Sequence, residues 1–253
     1  MTRIPGKFVW YEHHSRDVPR ARAFYEALFG WHTEVLPIGA QSYPMIACGD
    51  TMIGGYGEAP EGAPGALWMA YMSVADVDAS VRAAESAGAK VLMPPTDFDP
   101  VGRGAALADP TGGVFSLWAS HDDDPVDQER APVGHWCWNE LWTQDDAKSL
   151  AFYETVFGYR RETMPMPQGH YHLLKTPDGV ARGGLMKMPD PQAPTLWCPY
   201  VAVAACDATL ARARTLGAQV MMDATDIPGV GRMGVLLDPL GASIAVLQQA
   251  AAA

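Results

Sequence analysis

Glu12 and Glu140 close two short aromatic stretches, Phe8-Val9-Trp10-Tyr11-Glu12 and Trp136-Cys137-Trp138-Asn139-Glu140, that lie 128 residues apart in the chain. Alternation along a strand puts Phe8, Trp10 and Glu12 on one face, and Trp136, Trp138 and Glu140 on the matching face of the second stretch. An inward carboxylate is costly unless it is hydrogen-bonded or paired. Three roles are therefore open to each glutamate: a catalytic general base of raised pKa, an unorthodox metal ligand, or a structural carboxylate held by backbone amides or by Arg103 or Arg232. The same alternation groups Met69 with Tyr71, Cys198 with Tyr200, and Ser116 with Trp118. A surface of that kind suits stacking of a planar organic ligand or a cation. A core filled at the same place is the competing reading.

Other residues of suitable type are less specific. Arg103 and Arg232 each follow Val-Gly just ahead of a strand, where a guanidinium can clamp a ligand anion or pin a loop through a salt bridge. His170 and His172 share one face of a strand at a spacing that can chelate a metal with Glu140, or are surface histidines. The corresponding residues of the first copy are Ser42 and Pro44, so such a site would exist once. His13 and His14 carry the same two readings. The four cysteines, Cys48, Cys137, Cys198 and Cys206, have no CxxC spacing and read as small buried hydrophobes in a reducing cytoplasm. No phosphate-binding glycine motif follows a strand.

These residues are positioned by a repeat. Phe24-Tyr25-Glu26 matches Phe152-Tyr153-Glu154, and Phe29-Gly30-Trp31 matches Phe157-Gly158-Tyr159. Further on, Trp68 matches Trp197, Tyr71 matches Tyr200, Gly102-Arg103 matches Gly231-Arg232, and Asp109-Pro110 matches Asp238-Pro239. A period of this length means two copies of a whole domain. We expect domains at 1–120 and 135–253, joined by a solvated acidic linker at 121–134. In each copy a strand leads into a helix capped by an aspartate, then into short β-prone segments, and the pattern restarts after a Pro/Gly loop. The fold class is α+β: two domains, each a pair of βαβββ modules forming a curled mixed sheet with a concave cleft.

The chain has 253 residues and a formal charge of −11, which gives no electrostatic case for nucleic acid or an anionic membrane as partner. It has neither a leader-like apolar segment nor an apolar run long enough to span a bilayer, so a cytoplasmic location is expected.

The string from Asp17 through Phe24-Tyr25 to Phe29-Gly30-Trp31, repeated from Asp145 to Tyr159, resembles the first helix of the vicinal oxygen chelate superfamily. That superfamily includes glyoxalase I, extradiol dioxygenases and bleomycin resistance proteins. The turns Asp109-Pro-x-Gly and Asp238-Pro-x-Gly resemble the turn before the family's last strand. The resemblance implies a divalent metal held by His and Glu. The positions that would supply those ligands hold Trp10 and Trp138, Met69 and Cys198, Ser116 and Ala245, with Gly55 and Gly184 nearest the remaining one. None is a usual ligand. The expected cofactor is therefore none, with a divalent transition metal on Glu12 or Glu140 as the alternative. The expected activity is binding of a small, planar, partly apolar molecule. A lyase, isomerase or dioxygenase using the two glutamates, and a protein-interaction module with filled clefts, are the alternatives. The resemblance also implies a monomer, already an internal pseudo-dimer, or a homodimer.

Overall fold

The computed structural model describes residues 2–38, 41–166 and 169–251. The first copy contains β1 (Phe8–Ser15), α1 (Val18–Phe29), β2 (His32–Ile38), β3 (Gln41–Cys48) and β4 (Thr51–Glu58). It continues with β5 (Leu67–Ser73), α2 (Val77–Ser86), β6 (Lys90–Phe98), β7 (Gly102–Ala108) and β8 (Val114–Ser120). The second copy runs through β9 (Trp136–Thr143), α3 (Asp146–Phe157), β10 (Arg160–Met166), β11 (Gly169–Lys175) and β12 (Ala181–Lys187). It ends with β13 (Leu196–Ala202), α4 (Cys206–Thr215), β14 (Gln219–Ile227), β15 (Gly231–Leu237) and β16 (Ser243–Gln249). The α+β class, the tandem repeat and the four βαβββ modules are all present.

Local chemistry explains the helix ends. Asp17, Asp76 and Asp145 accept from the third residue onward, at Arg20, Ala79 and Lys148, so each caps an otherwise orphaned amide. Gly30 and Gly158 stop α1 and α3 at φ of 73° and 69°, a left-handed conformation that glycine adopts without cost. Ala205 replaces the aspartate ahead of α4 and makes no side-chain cap.

Each copy supplies one eight-stranded mixed sheet, ordered β2-β3-β4-β1-β5-β8-β7-β6 and β10-β11-β12-β9-β13-β16-β15-β14. The compact units, however, interleave the copies. One gathers Met1–Trp10, Met69–Asp127 and Trp138–Trp197; the other gathers Tyr11–Trp68, Gln128–Cys137 and Cys198–Ala253. In the first unit α2 packs against α3 over Met72, Leu107, Phe115, Leu141, Phe152 and Tyr153. In the second α1 meets α4, and Phe24, Tyr25, Trp68, Val201, Leu210 and Val246 are buried. Apolar burial of this extent is the main favourable term in each unit.

The aspartate of each Asp-Pro turn is a buried hub. In the first unit Asp109 accepts from Tyr153 Oη at 2.8 Å, and from the Thr111 and Gly113 amides. Trp197 in turn donates to Tyr153 at 2.8 Å. In the second unit Asp238 accepts from Tyr25 Oη at 2.9 Å and from the Leu240 and Ala242 amides, and Trp68 donates to Tyr25. His13 Nε2 adds a contact of 2.8 Å to Asp238. His13 is fully buried, which corrects the surface reading: its ring sits edge-on to Tyr25 and Trp68 in the core.

The acidic segment after Ser120 is largely exposed, and three of its carboxylates are anchored to the rest of the chain. Asp123 and Asp124 accept from the Thr2 and Ile4 amides, and Asp127 is paired with Lys7 at 2.7 Å and Arg182 at 2.6 Å. Its carboxylates tie the N-terminal segment and β12 together within the first unit.

Candidate functional site

Glu140 lies on β9, next to Gly184 of the parallel strand β12. Its carboxylate is buried, and both oxygens are held by aromatic donors. Trp142 Nε1 donates to Oε1 at 2.6 Å, and Tyr171 Oη donates to Oε2 at 2.8 Å. Trp138 Nε1 donates to the same Tyr171 oxygen at 3.0 Å. Alternation explains the grouping, since Trp138, Glu140 and Trp142 are two residues apart on one strand. Gly184 is required here because a Cβ would collide with the Tyr171 hydroxyl. Burial and the Glu140 charge raise the Tyr171 pKa, so the phenol keeps its proton and remains a donor.

The counterpart on β1 is built differently. Glu12 is in register with Gly55 of β4, and the Tyr43 hydroxyl occupies the space a Cβ at Gly55 would need. The residue two positions on is His14, not tryptophan. Its Nε2 lies 3.3 Å from Glu12 Oε2, and the two side chains are 21% and 11% exposed. Gly57 leaves the room they fill: a Cβ there would stand 2.7 Å from Glu12 Oε1 and 3.1 Å from His14 Nδ1. Burial pulls the His14 pKa down, but the Glu12 contact, its charge and a hydrogen bond to the Glu58 backbone together raise it.

The remaining sequence-predicted residues divide. Tyr71 is half-buried and meets Trp118 edge-on at 6.0 Å; its register partner is Ser116, which is buried like Met69. Trp118 lies against Gly104, where a Cβ would come within 2.8 Å of the ring. The second copy does not keep this aromatic patch. Cys198 and Tyr200 are buried, Tyr200 is in register with Ala245, and Leu247 and Met233 stand where Trp118 and Gly104 do. Trp10 and Trp138 are half-buried. Phe8 and Trp136 are drawn away from the expected clefts. Phe8 packs edge-on against Trp197 at 5.1 Å, and Trp136 stacks on Tyr11 at 4.3 Å while donating to the Ile53 carbonyl.

Arg103 grips Asp78 with two nitrogens, at 2.8 and 3.0 Å, and Asp97 with a third at 2.7 Å. Arg232 repeats this with Asp207 and Asp226. Each fork thus ties the first turn of a helix to an edge strand. His170 and His172 do not join Glu140. The residue between them, Tyr171, faces the carboxylate, and His172 instead bonds Thr163 at 2.9 Å with Asp146 at 3.6 Å. Two surface cavities, of about 290 Å³ beside Phe29 and Arg212 and about 610 Å³ beside Arg3 and Arg103, are lined by neither glutamate.

The family model for the Glyoxalase/Bleomycin resistance protein/Dioxygenase superfamily matches residues 7–117 and again 133–246. The chain belongs to this superfamily. It is 37% identical over 249 residues to "Putative glyoxylase CFP32" of Mycobacterium tuberculosis, covering 95% of this chain and 94% of that protein. It is 32% identical over 271 residues to the anthracycline biosynthesis protein DauV of Streptomyces, covering 98% and 95%. Among solved structures, a 2,2',3-trihydroxybiphenyl 1,2-dioxygenase from Sphingomonas wittichii superposes with a TM-score of 0.66 at 14% identity, covering 96% of this chain and 90% of the dioxygenase. That likeness is one of fold. The Glu140 carboxylate is taken up by indole and phenol donors, and among the described residues no three His, Cys, Asp or Glu side chains converge to hold a metal ion.

Proposed function

We propose that this glyoxalase-superfamily protein binds a small, planar, partly apolar molecule against the Glu140 cluster without a metal ion. The observation that carries the reading is the shape of that cluster. A buried carboxylate is oriented by Trp142 and Tyr171, and Trp138 joins through Tyr171, so three half-buried aromatic rings surround one fixed negative charge. Rings offer stacking area, and a carboxylate offers an acceptor for a ligand hydroxyl or amine. Holding the carboxylate in place beforehand reduces the entropy lost on binding. The name of the Streptomyces relative supports the ligand class, since anthracyclines are fused-ring, planar molecules.

Calorimetric titration with a series of hydroxyanthraquinones tests this. Micromolar binding that persists in the presence of chelator is expected, and Trp138→Ala should weaken it about tenfold, or roughly 1.4 kcal/mol. Binding that appears only after a divalent metal is added would sink the metal-free reading. Binding indifferent to Trp138→Ala would move the site elsewhere.

A further inference from the structure

The cavity of about 290 Å³ beside Phe29 and Arg212 lies wholly within the second unit and is separate from both glutamate clusters. Its walls are apolar. Leu28 and Phe29 come from the end of α1, Val203 from the turn between β13 and α4, and Val133 lines it while remaining 62% exposed. Arg212 is the one charged side chain among the described residues that line it. Its Nε donates to the Ala27 carbonyl at 2.6 Å, which fixes the guanidinium beside α1. No carboxylate among the described residues pairs with it. Asp207, the acid in the first turn of the same helix, is taken up by Arg232.

The repeat sharpens the point, because the first copy has the opposite charge at the same place. There Asp76 stands where Ala205 does, and Ala83 where Arg212 does. Asp76 is occupied in capping α2 through the Ala79 amide, whereas Ala205 lines the cavity and makes no side-chain cap. Both exchanges act in one direction: the second copy lacks the acid and has gained a cation. A guanidinium offers two parallel N–H bonds to a carboxylate, and apolar walls gain when a ligand covers them. The chain's net charge of −11 opposes an anion at long range, so the attraction has to be one of contact, inside a screening length of about 8 Å. An apolar cavity of about 150 Å³ holds benzene, so this one has room for a single ring with a short arm. We propose that it binds a small apolar monocarboxylate, with the ring against Leu28, Phe29, Val133 and Val203 and the carboxylate on Arg212.

The test titrates the intact chain with 3-phenylpropionate and, separately, with its neutral amide, and follows binding by saturation-transfer NMR. The acid should bind with a Kd on the order of 1 mM, and the amide about fivefold more weakly or worse. This comparison needs no variant. Arg212→Gln should weaken the acid about five- to tenfold and leave the amide unchanged. Ala205→Asp restores the acid of the first copy at the groove. It should weaken 3-phenylpropionate about tenfold while leaving Tm unchanged or raising it, since an aspartate there can cap α4 as Asp76 caps α2. That pairing of lost binding with retained stability is one that damage to the fold would not produce. No binding of 3-phenylpropionate at 10-fold the expected Kd, equal binding of acid and amide, or equal binding by the parent chain and both variants overturns the proposal. The Glu140 reading is tested by other ligands and survives any of these results.

Discussion

The two units use one framework and differ in what they bury beside it. Both hold a turn aspartate with a helix tyrosine, and both lock that tyrosine with a tryptophan, Asp109–Tyr153–Trp197 in one and Asp238–Tyr25–Trp68 in the other. The first unit surrounds its hub with satisfied or apolar groups: Leu141 and Leu185 are in the core, and Thr143 bonds Ser149, which bonds Thr111. The second unit has His13, Tyr56 and Ser15 at the places of Leu141, Leu185 and Thr143. There His13 Nδ1, Tyr56 Oη and Ser15 Oγ are buried with no hydrogen-bond partner. Unpartnered buried polar atoms cost about 1–3 kcal/mol each. Beside the hub, then, one unit carries leucines and bonded hydroxyls, and the other carries His13, followed in the chain by His14 beside Glu12.

The largest expected effect breaks the hubs. Asp238→Ala strands His13, Tyr25 and two amides, and should cost about 3–5 kcal/mol in denaturant unfolding, as loss of one member of a buried pair does. Asp109→Ala, whose hub has Leu141 at the place of His13, should cost less, roughly 1–3 kcal/mol. Equal losses would dissolve the distinction between the units. Burial works against ionisation of Asp238, but His13 and the Ala242 and Leu240 amides hold its pKa below the ordinary carboxylate value. Its stabilisation is therefore present above about pH 4 and fades as pH falls through the lowered value. Asp238→Asn should flatten that acid limb.

His14 gives a smaller effect of opposite sign. Its raised pKa means a contribution fully present below about pH 6.5 and lost as pH rises through the folded value. The Tm deficit of His14→Gln should be about 2 °C greater at pH 5.5 than at pH 8.5. A deficit independent of pH would mean that the Glu12 contact has no energetic weight. The smallest change comes from Tyr56→Phe. Removing an unpartnered buried hydroxyl should leave stability within about 1 kcal/mol or raise it, whereas Tyr25→Phe, which removes a bonded one, should lower it by about 1–1.5 kcal/mol.

What the sequence determined by itself is local or repeated. Period-two and helical patterns, aspartate caps and glycine stops act within a few residues, so the elements and the two copies were legible before any coordinates. The facing of Trp138 and Glu140 followed from alternation, and both meet Tyr171. Tertiary structure decided which distant groups meet. Tyr153 of the second copy finds Asp109 of the first, and Tyr25 of the first finds Asp238 of the second. Identical motifs in both copies carry no mark of which partner each will take. Tyr171 rather than His170 or His172 reaches Glu140, because the register of β11 against β12, with Leu173 opposite Gly184, sets which face the histidines occupy. A one-residue slip would have reversed that choice. Whether a buried carboxylate is held by an indole or lies beside an imidazole depends on contacts of about 3 Å, which side-chain packing settles and spacing along the chain does not.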